Sequence, residues 1–327
     1  MVFFLFSFLK AVKTVVLYNF QPGGSNTFVY KIRQKMKKAA VITGVLILGF
    51  LKPAFCQFTK TEFSISGISQ YDFVSRVNAV PYRITVALPF GYSSADSTHY
   101  PVVYMLDGDP NLPLTALIQW NMTYDGELPK MIIVGIGYQA KNFMGTVSYR
   151  TLDYTPTHVE KSDSQMTANH HLKMVSGGAG NFLIVMKNEI IPFIEKSYST
   201  NHDRTLAGHS FGGLFAAYVL FREPLLFNRY LISSPSLHWG DEEIMREETA
   251  FYNNGHSTLQ AKVFISAGSL EPEEMVPDVK ELVRTIQRRN YVGMEVTERV
   301  FDNETHLSVM PFAISRGLRV LFPENPK

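Results

Sequence analysis

Five short apolar segments recur along the chain, and each of them ends at or near a glycine, serine or aspartate. They are PVVYMLDGD (residues 101–109), MIIVGIGY (131–138), RTLAGHS (204–210), RYLISSPS (229–236) and AKVFISAG (261–268). Strands that are apolar along their whole length are typical of a parallel sheet covered on both faces. The pattern therefore predicts the central strands of such a sheet.

Segments with helical periodicity lie between these strands. One set of apolar residues recurs every four positions and another falls at i, i+3, i+4 and i+7: Phe182, Met186, Ile190 and Ile194, then Val279, Leu282, Val283 and Ile286. Upstream, FSISGISQ and YRITVALP alternate as an antiparallel hairpin would. The fold class is thus α/β: a doubly wound, mostly parallel sheet with an antiparallel N-terminal hairpin, whose chemistry gathers beyond the carboxyl ends of the strands.

Residues 139–180 form the longest segment without a clear hydrophobic period. This segment contains SYRTLDYTPT and SGGAG, which are rich in polar and small residues. We therefore expect irregular structure there, and we regard the segment as a candidate substrate-binding loop region.

Composition indicates one globular domain and excludes a nucleic-acid partner. Hydrophobic residues make up 46% of the 327 positions, which is enough for a large core. Lys and Arg total 31 against 29 Asp and Glu, and no basic stripe interrupts the body of the chain. We expect a single domain over residues 57–327.

The N-terminal region has the pattern of an export signal. Residues 36–56 read MKKAAVITGVLILGFLKPAFC: a methionine, two lysines, a short apolar stretch and small residues at Ala54 and Cys56. We expect cleavage after Cys56, a periplasmic or secreted protein, and no stable membrane insertion afterwards. Phe55 disfavours a lipid anchor. Residues 1–35 are then an over-extended N-terminus; the alternative is an upstream hydrophobic anchor in residues 1–20.

Cysteine chemistry is excluded in the mature chain by this reading. Cys56 is the sole cysteine of the sequence, so nothing downstream of the expected cleavage site can form a disulfide, a thiolate nucleophile or a cysteine metal site. The histidines show no spacing typical of metal ligation, and no cofactor motif is present. We expect neither a metal nor a cofactor.

Ser210 is the candidate nucleophile. GHSFG (residues 208–212) fits G-x-S-x-G, follows a predicted strand and opens the helix-forming GGLFAAYVLF. A sharp turn between strand and helix lifts a serine hydroxyl clear of the sheet and needs glycines where neighbouring β-carbons would collide. The alternative is that Ser210 merely caps the helix. The flanking strand and helix favour the nucleophile.

His306 is the candidate base. A serine hydroxyl needs a general base, and in hydrolases with the order Ser, acid, His this base follows the last strand. His306 has that position, after MEVTERVF and before an apolar helix. His209, within the turn, is expected to point away from the nucleophile.

Glu271 is the preferred acid partner of His306. It follows the strand AKVFISAG within SLEPEEMVPDV, close to the strand end. Glu273, Glu274 and Asp278 are its competitors, but they lie nearer the following helix, where acidic residues often serve only the helix dipole. A Ser–His dyad without an acid is a further alternative.

Two backbone N–H groups are needed for the oxyanion of a tetrahedral intermediate. The first is expected from Phe211, directly after Ser210. The second is expected from the turn after VVYMLD, at Gly108 or Asp109. The side chains of Asp107 and Asp109 are expected to do no more than ordinary turn chemistry.

Several ordered motifs resemble one family. YRITVALPFGY, YPVVYMLDGD, YRTLDYTPT, SGGAGNFL, RTLAGHSFGGLFAAYVLF, YLISSPSLHWG and ETHLSV, spread over residues 82–321, are similar to blocks of the putative-esterase family of α/β-hydrolases. The likeness is greatest to its enterochelin and salmochelin esterase-like branch of periplasmic siderophore esterases. The resemblance implies Ser210 as nucleophile and His306 as base, with Arg150 and Trp239 in the substrate pocket.

The resemblance implies an exported serine esterase that acts through an acyl-enzyme, with a catecholate siderophore lactone as candidate substrate. Related families include feruloyl and acetyl-xylan esterases and acyl transferases, so a carbohydrate ester substrate or acyl transfer is the alternative. A non-catalytic binding protein on the same fold is the alternative from another class, and it would predict a lost triad residue. The sequence leaves the oligomeric state open.

Overall fold

The computed structural model describes residues 30–31, 34–35, 37–38, 67–95 and 97–323. The described residues before 39 are helical, and residues Ile65–Lys327 form a separate compact unit. The expected signal peptide, residues 36–56, lies outside the described residues except for Lys37 and Lys38, and so does its cleavage site. No helix among the described residues has the length and apolar character of a membrane span.

An eight-stranded sheet organises the chain, in the order β1-β2-β4-β3-β5-β6-β7-β8. The strands are β1 (Ile68–Val74), β2 (Pro81–Ala87), β3 (Tyr100–Leu106), β4 (Ile132–Tyr138), β5 (Thr200–His209), β6 (Arg229–Ser233), β7 (Thr258–Gly268) and β8 (Val292–Phe301). β2 pairs antiparallel with β1 and β4, and the remaining neighbours are parallel. The predicted doubly wound sheet with an antiparallel hairpin is confirmed.

Helices cover both faces of this sheet. They are α1 (Gly108–Tyr124), α2 (Phe143–Tyr154), α3 (Glu160–His170), α4 (Ala179–Val185), α5 (Ile191–Ser197), α6 (Phe211–Arg222), α7 (Trp239–Asn253), α8 (Met275–Arg289) and α9 (Met310–Leu321). α1 and α9 pack on one face, and α6 and α8 pack on the other. Successive side chains of a strand point to opposite faces of the sheet. On β3, Val103 and Met105 therefore pack under α1 and α9, and Tyr104 and Leu106 pack on the face covered by α6 and α8.

A π-helical turn explains the four-residue period seen in the sequence. Residues Met186–Ile190 form this turn between α4 and α5. An α-helix repeats every 3.6 residues, so strict spacing by four would drift around its surface. The wider turn keeps the set in the core: Phe182, Met186, Ile190 and Ile194 are all buried.

The expectation of irregular structure over residues 139–180 is wrong, because this segment contains α2 and α3. Asn142 caps α2 by accepting a hydrogen bond from Gly145 N at 2.9 Å. The periodicity was hidden because the buried positions of these helices include polar side chains, among them Thr151, Asp153 and Asp163. Thr151 donates to the carbonyl of Val147 within α2, whereas Asp153 and Asp163 accept from Tyr82 and from the Ser176 N–H; a hydrophobic pattern registers none of these bonds.

Candidate active site

Ser210 lies in a strained turn between β5 and α6. Its backbone angles are φ 58° and ψ −121°, a conformation that residues other than glycine rarely adopt. Its N–H donates to the carbonyl of Ser233 on β6 at 3.0 Å, which ties the turn to the sheet. The Ser210 side chain makes no capping hydrogen bond to α6, so no contact supports the alternative role as an N-cap.

Close backbone contacts explain the glycines around Ser210. A β-carbon on Gly208 would lie 2.3 Å from the carbonyl oxygen of Gly212, and one on Gly213 would lie 2.9 Å from that of Ser233. Gly212 itself has room, because its nearest neighbour would be 3.4 Å away. The tight packing expected of the motif therefore falls on Gly208 and Gly213.

Glu271 and His306 form a partly buried hydrogen bond at the carboxyl ends of the strands. His306 Nδ1 lies 2.8 Å from Glu271 Oε2; the His306 side chain is 33% exposed and the Glu271 side chain is fully buried. The other oxygen, Oε1, accepts from Gly268 N at 2.6 Å and Ser234 Oγ at 2.5 Å. Burial alone would raise the pKa of Glu271, but these hydrogen bonds outweigh it and hold the pKa below its ordinary value.

The competing acids stand apart from His306. Among Glu271, Glu273, Glu274 and Asp278, all of which the structure describes, Glu271 is the one hydrogen-bonded to His306. Glu273 and Glu274 are exposed. Burial raises the pKa of Asp278, and the groups that act on it include His238, Glu242 and Glu274. The geometry thus favours Glu271 over the three alternatives.

His209 lies within the site, contrary to the expectation that it would point away. Its ring centroid is 4.4 Å from that of His306, and its Nδ1 is 3.1 Å from Ser233 Oγ. Burial, and then the neighbouring His306, lower the pKa of His209 to about 3, so its ring is neutral near pH 7. The alternation of β5 could have predicted this position, because it directs His209 with Ala207 toward the face that α9 covers, and His306 directly precedes α9.

His209, the residue directly before Ser210, contacts the His306 ring. Among the described residues, no hydrogen bond joins Ser210 Oγ to His306. Hydrogen bonds between nucleophile and base are often long in enzymes without substrate and shorten when substrate binds.

The turn between β3 and α1 lies beside the helix end that follows Ser210. A β-carbon on Gly212 would be 3.6 Å from Asp107 Oδ2, so the Asp107 carboxylate lies near the first turn of α6. Asp107 N is 3.1 Å from the Tyr154 hydroxyl and is therefore already engaged. The observed contact involves Asp107, and the roles of Phe211, Gly108 and Asp109 as oxyanion donors stay predictions.

Asp107 forms an ion pair that the sequence did not indicate. Arg150 Nε and Nη2 donate to its two carboxylate oxygens at 2.9 and 3.0 Å. Burial alone would lower the pKa of Arg150, but Asp107 outweighs it and raises that pKa. The guanidinium carbon lies 5.5 Å from the centroid of the Phe211 ring. Arg150, predicted to lie in the substrate pocket, is thus beside the Phe211 ring, and Asp107 balances its charge.

Trp239, the second predicted pocket residue, contacts the same aromatic side chain. Its ring meets Phe211 edge to face at a centroid distance of 5.0 Å, and its Nε1 donates to the carbonyl of Thr157 at 3.1 Å. Phe211 therefore lies between Arg150 and Trp239. We call Phe211, directly after the candidate nucleophile, and Trp239 the aromatic wall.

Asp153 is a buried carboxyl group on α2. It accepts from the Tyr82 hydroxyl at 2.6 Å and lies among packed tyrosine rings. Burial raises its pKa to about 7, although the hydrogen bond from Tyr82 acts in the other direction. Folding therefore favours the protonated carboxyl, and this contribution is lost as the pH rises.

Asp153→Asn is expected to flatten part of the pH dependence of stability. Between about pH 4 and pH 7 the folded wild type holds a proton that the unfolded chain has released, so its stability falls as pH rises; the variant lacks this cost. Its free energy of unfolding should gain about 3 to 4 kcal/mol relative to wild type across that range. Denaturant unfolding of both proteins at several pH values measures the difference in the free energy of unfolding. Glu271 is present in both proteins, so its own pH dependence cancels in this difference. Parallel curves would contradict the assignment.

Comparisons with known proteins find relatives that match most of the chain. A family model described as "Putative esterase" matches residues 78–306. The ferri-bacillibactin esterase BesA of Bacillus subtilis is 29% identical over 282 residues, covering 82% of this chain and 94% of that protein. The siderophore triacetylfusarinine C esterase of Aspergillus fumigatus is 25% identical over 286 residues, covering 79% and 94%.

Solved structures include a relative of the same architecture. The crystal structure of an IroE-like serine hydrolase from Shewanella oneidensis is similar with a TM-score of 0.68 and 27% identity, covering 78% of this chain and 80% of that one. The matched segment contains Ser210, Glu271 and His306, and it extends over more than half of the chain. The chain therefore belongs to the "Putative esterase" family of α/β-hydrolases and is a serine hydrolase that acts on ester bonds.

Proposed function

We propose that this protein is an exported esterase that hydrolyses the ester bonds of a catecholate siderophore lactone. The observation that carries the proposal is the partly buried Glu271–His306 hydrogen bond beside the strained Ser210 turn. Two relatives that match most of the chain are named for siderophore ester substrates, ferri-bacillibactin and triacetylfusarinine C. Together these support a siderophore ester as the substrate.

In the proposed reaction, Ser210 Oγ attacks the ester carbonyl carbon while His306 Nε2 accepts the hydroxyl proton. Glu271 holds the Nδ1–H of His306 and stabilises the imidazolium that forms. The N–H groups of Phe211 and of the Gly108–Asp109 turn bind the oxyanion. His306 then returns the proton to the leaving alcohol, and a water molecule, activated by the same imidazole, releases the acid.

The aromatic wall supports an aromatic acyl group. Phe211 is partly exposed directly after the nucleophile, the buried Trp239 packs against it edge to face, and Arg150 lies against the Phe211 ring. Stacked rings and a guanidinium plane suit a catechol ring better than a short acetyl group. Arg150 can still offer its remaining N–H donors to an acceptor on the substrate while Asp107 fixes the guanidinium in place.

A hydrolysis panel tests the substrate class. Catecholate siderophore lactones, with and without iron, should be hydrolysed with a kcat/KM at least about 100-fold above those of feruloylated and acetylated sugars. Ser210→Ala, measured in parallel, gives the non-enzymatic background. A preference for the sugar esters would contradict the proposal, and so would transfer of the acyl group to an added sugar acceptor in place of hydrolysis.

Export is the second part of the proposal, and it rests on the sequence pattern of residues 36–56. Expression of the full chain in a Gram-negative host, followed by fractionation and N-terminal sequencing, measures it. We expect a periplasmic or secreted product that begins at Gln57. A product that keeps residues 36–56 would contradict the signal peptide.

A further inference from the structure

Ser234 has a backbone conformation that a serine adopts at a cost. Its φ of 43° places it in the left-handed region, directly after β6. Glycine occupies this region freely, whereas a β-carbon makes it unfavourable. Such strain persists where the side chain serves a purpose that glycine would not. The Ser234 hydroxyl is therefore expected to have a function that glycine could not supply.

That hydroxyl is used on Glu271. Ser234 is fully buried, its N–H donates to the carbonyl of Ser266 on β7 at 2.7 Å, and its Oγ donates to Glu271 Oε1 at 2.5 Å. A hydrogen bond to an ionised carboxylate is shorter and stronger than one between neutral groups. Ser234 is thus fixed at its backbone and directs its one donor at the acid.

Three donors converge on the two oxygens of Glu271. Oε1 accepts from Ser234 and Gly268, and this leaves Oε2 facing His306 Nδ1. A carboxylate held on one oxygen by two donors in different directions cannot rotate its other oxygen away from the imidazole without breaking a bond. With Gly268 N alone, that rotation would be open. The left-handed backbone is what brings Oγ of Ser234 to the carboxylate.

We propose that Ser234 is a positioning residue of this esterase, which orients Glu271 and through it His306. The inference rests on the proposed role of Ser210, His306 and Glu271. It adds a residue outside the expected triad, in the SSPS segment after β6. Its contribution is to the rate of the chemical step, because its hydroxyl donates to Glu271.

Two substitutions at this position separate positioning from stability. Ser234→Gly and Ser234→Ala both remove the hydroxyl, but glycine relieves the left-handed strain and alanine keeps it. We expect the glycine variant to melt at a higher temperature than the alanine variant. For both full-length variants we expect kcat on a p-nitrophenyl ester to fall by roughly 10- to 100-fold with KM nearly unchanged.

Ser266→Ala is the matched control. Ser266 is also a buried serine near the end of the neighbouring strand β7, and its hydroxyl has no hydrogen-bond partner among the described residues. Its carbonyl, which receives the N–H of Ser234, is retained in the variant. We expect kcat of Ser266→Ala within about twofold of wild type.

The proton between His306 Nδ1 and Glu271 Oε2 gives a second readout. In one-dimensional proton NMR it should resonate far downfield in wild type and in Ser266→Ala, and move upfield or broaden in both Ser234 variants. Wild-type kcat in Ser234→Gly, or kcat values that follow melting temperature, would overturn the inference, as would an unchanged resonance. Ser210→Ala distinguishes a failure of the proposed catalytic role of Ser210 from a failure of the proposed role of Ser234. If Ser210→Ala remains active, the proposed nucleophile is wrong, and the proton resonance still tests the contact of Ser234 with Glu271.

Discussion

Replacing Ser210 by alanine is expected to reduce kcat for ester hydrolysis by at least about 10⁴-fold. Alanine keeps the β-carbon, so the substitution leaves both the strain of the turn at φ 58° and the backbone hydrogen bond to the Ser233 carbonyl as they are in wild type. Only the attacking oxygen is lost. Initial rates on short p-nitrophenyl esters measure the change, and circular dichroism checks that the variant is folded.

Covalent labelling gives an independent measurement of the same residue. A fluorophosphonate should modify the wild-type peptide that contains Ser210, as seen by mass spectrometry, and should leave Ser210→Ala unmodified. Ser266→Ala serves as the control for removal of a buried hydroxyl without a hydrogen bond. Hydrolysis by Ser210→Ala within tenfold of wild type would mean that Ser210 is not the nucleophile.

Glu271→Gln is expected to reduce kcat by on the order of 10³- to 10⁴-fold. The donors Ser234 Oγ and Gly268 N require an oxygen at the position of Oε1, so the amide nitrogen of glutamine must face His306 Nδ1. An N–H at that position forces His306 into the tautomer that carries its proton on Nε2. This tautomer cannot accept the proton of Ser210. Initial-rate kinetics on the same p-nitrophenyl esters measure the loss.

Asp278→Asn is the matched control for the acid. It removes the same charge from an acid that makes no hydrogen bond to His306, and we expect kcat within about twofold of wild type. A loss in Asp278→Asn together with an active Glu271→Gln would transfer the role to Asp278. Full activity in both variants would indicate a Ser–His dyad that works without an acid.

Much of the fold was predictable because its central strands are buried on both faces. β3 to β7 are fully or largely apolar near their carboxyl ends, and each coincides with a predicted segment. β1 is different: the alternating pattern suggested residues 63–70, whereas the strand is Ile68–Val74. This edge strand is largely exposed, so no buried face fixes its position in the sequence.

The site was predictable where chain order alone constrains it. In this topology the residues that follow β5, β7 and β8 meet at one edge of the sheet, which is why Ser210, Glu271 and His306 could be named in advance. The contacts of Asp107 with Arg150 and of Ser234 with Glu271 depend on pairings between residues 43 and 37 positions apart. Neither pairing leaves a periodic signal, and both follow from left-handed backbone at a strand end.

The Arg150–Asp107 ion pair has a consequence for how a ligand would respond to ionic strength. Both side chains are largely shielded from solvent, with exposed fractions of 19% and 13%, so mobile ions screen their attraction little. A guanidinium that is already neutralised presents a ligand with an oriented dipole and a flat stacking surface instead of a net positive charge. Ligand affinity at this wall should therefore change only slightly as salt is added, unlike binding to a free surface arginine.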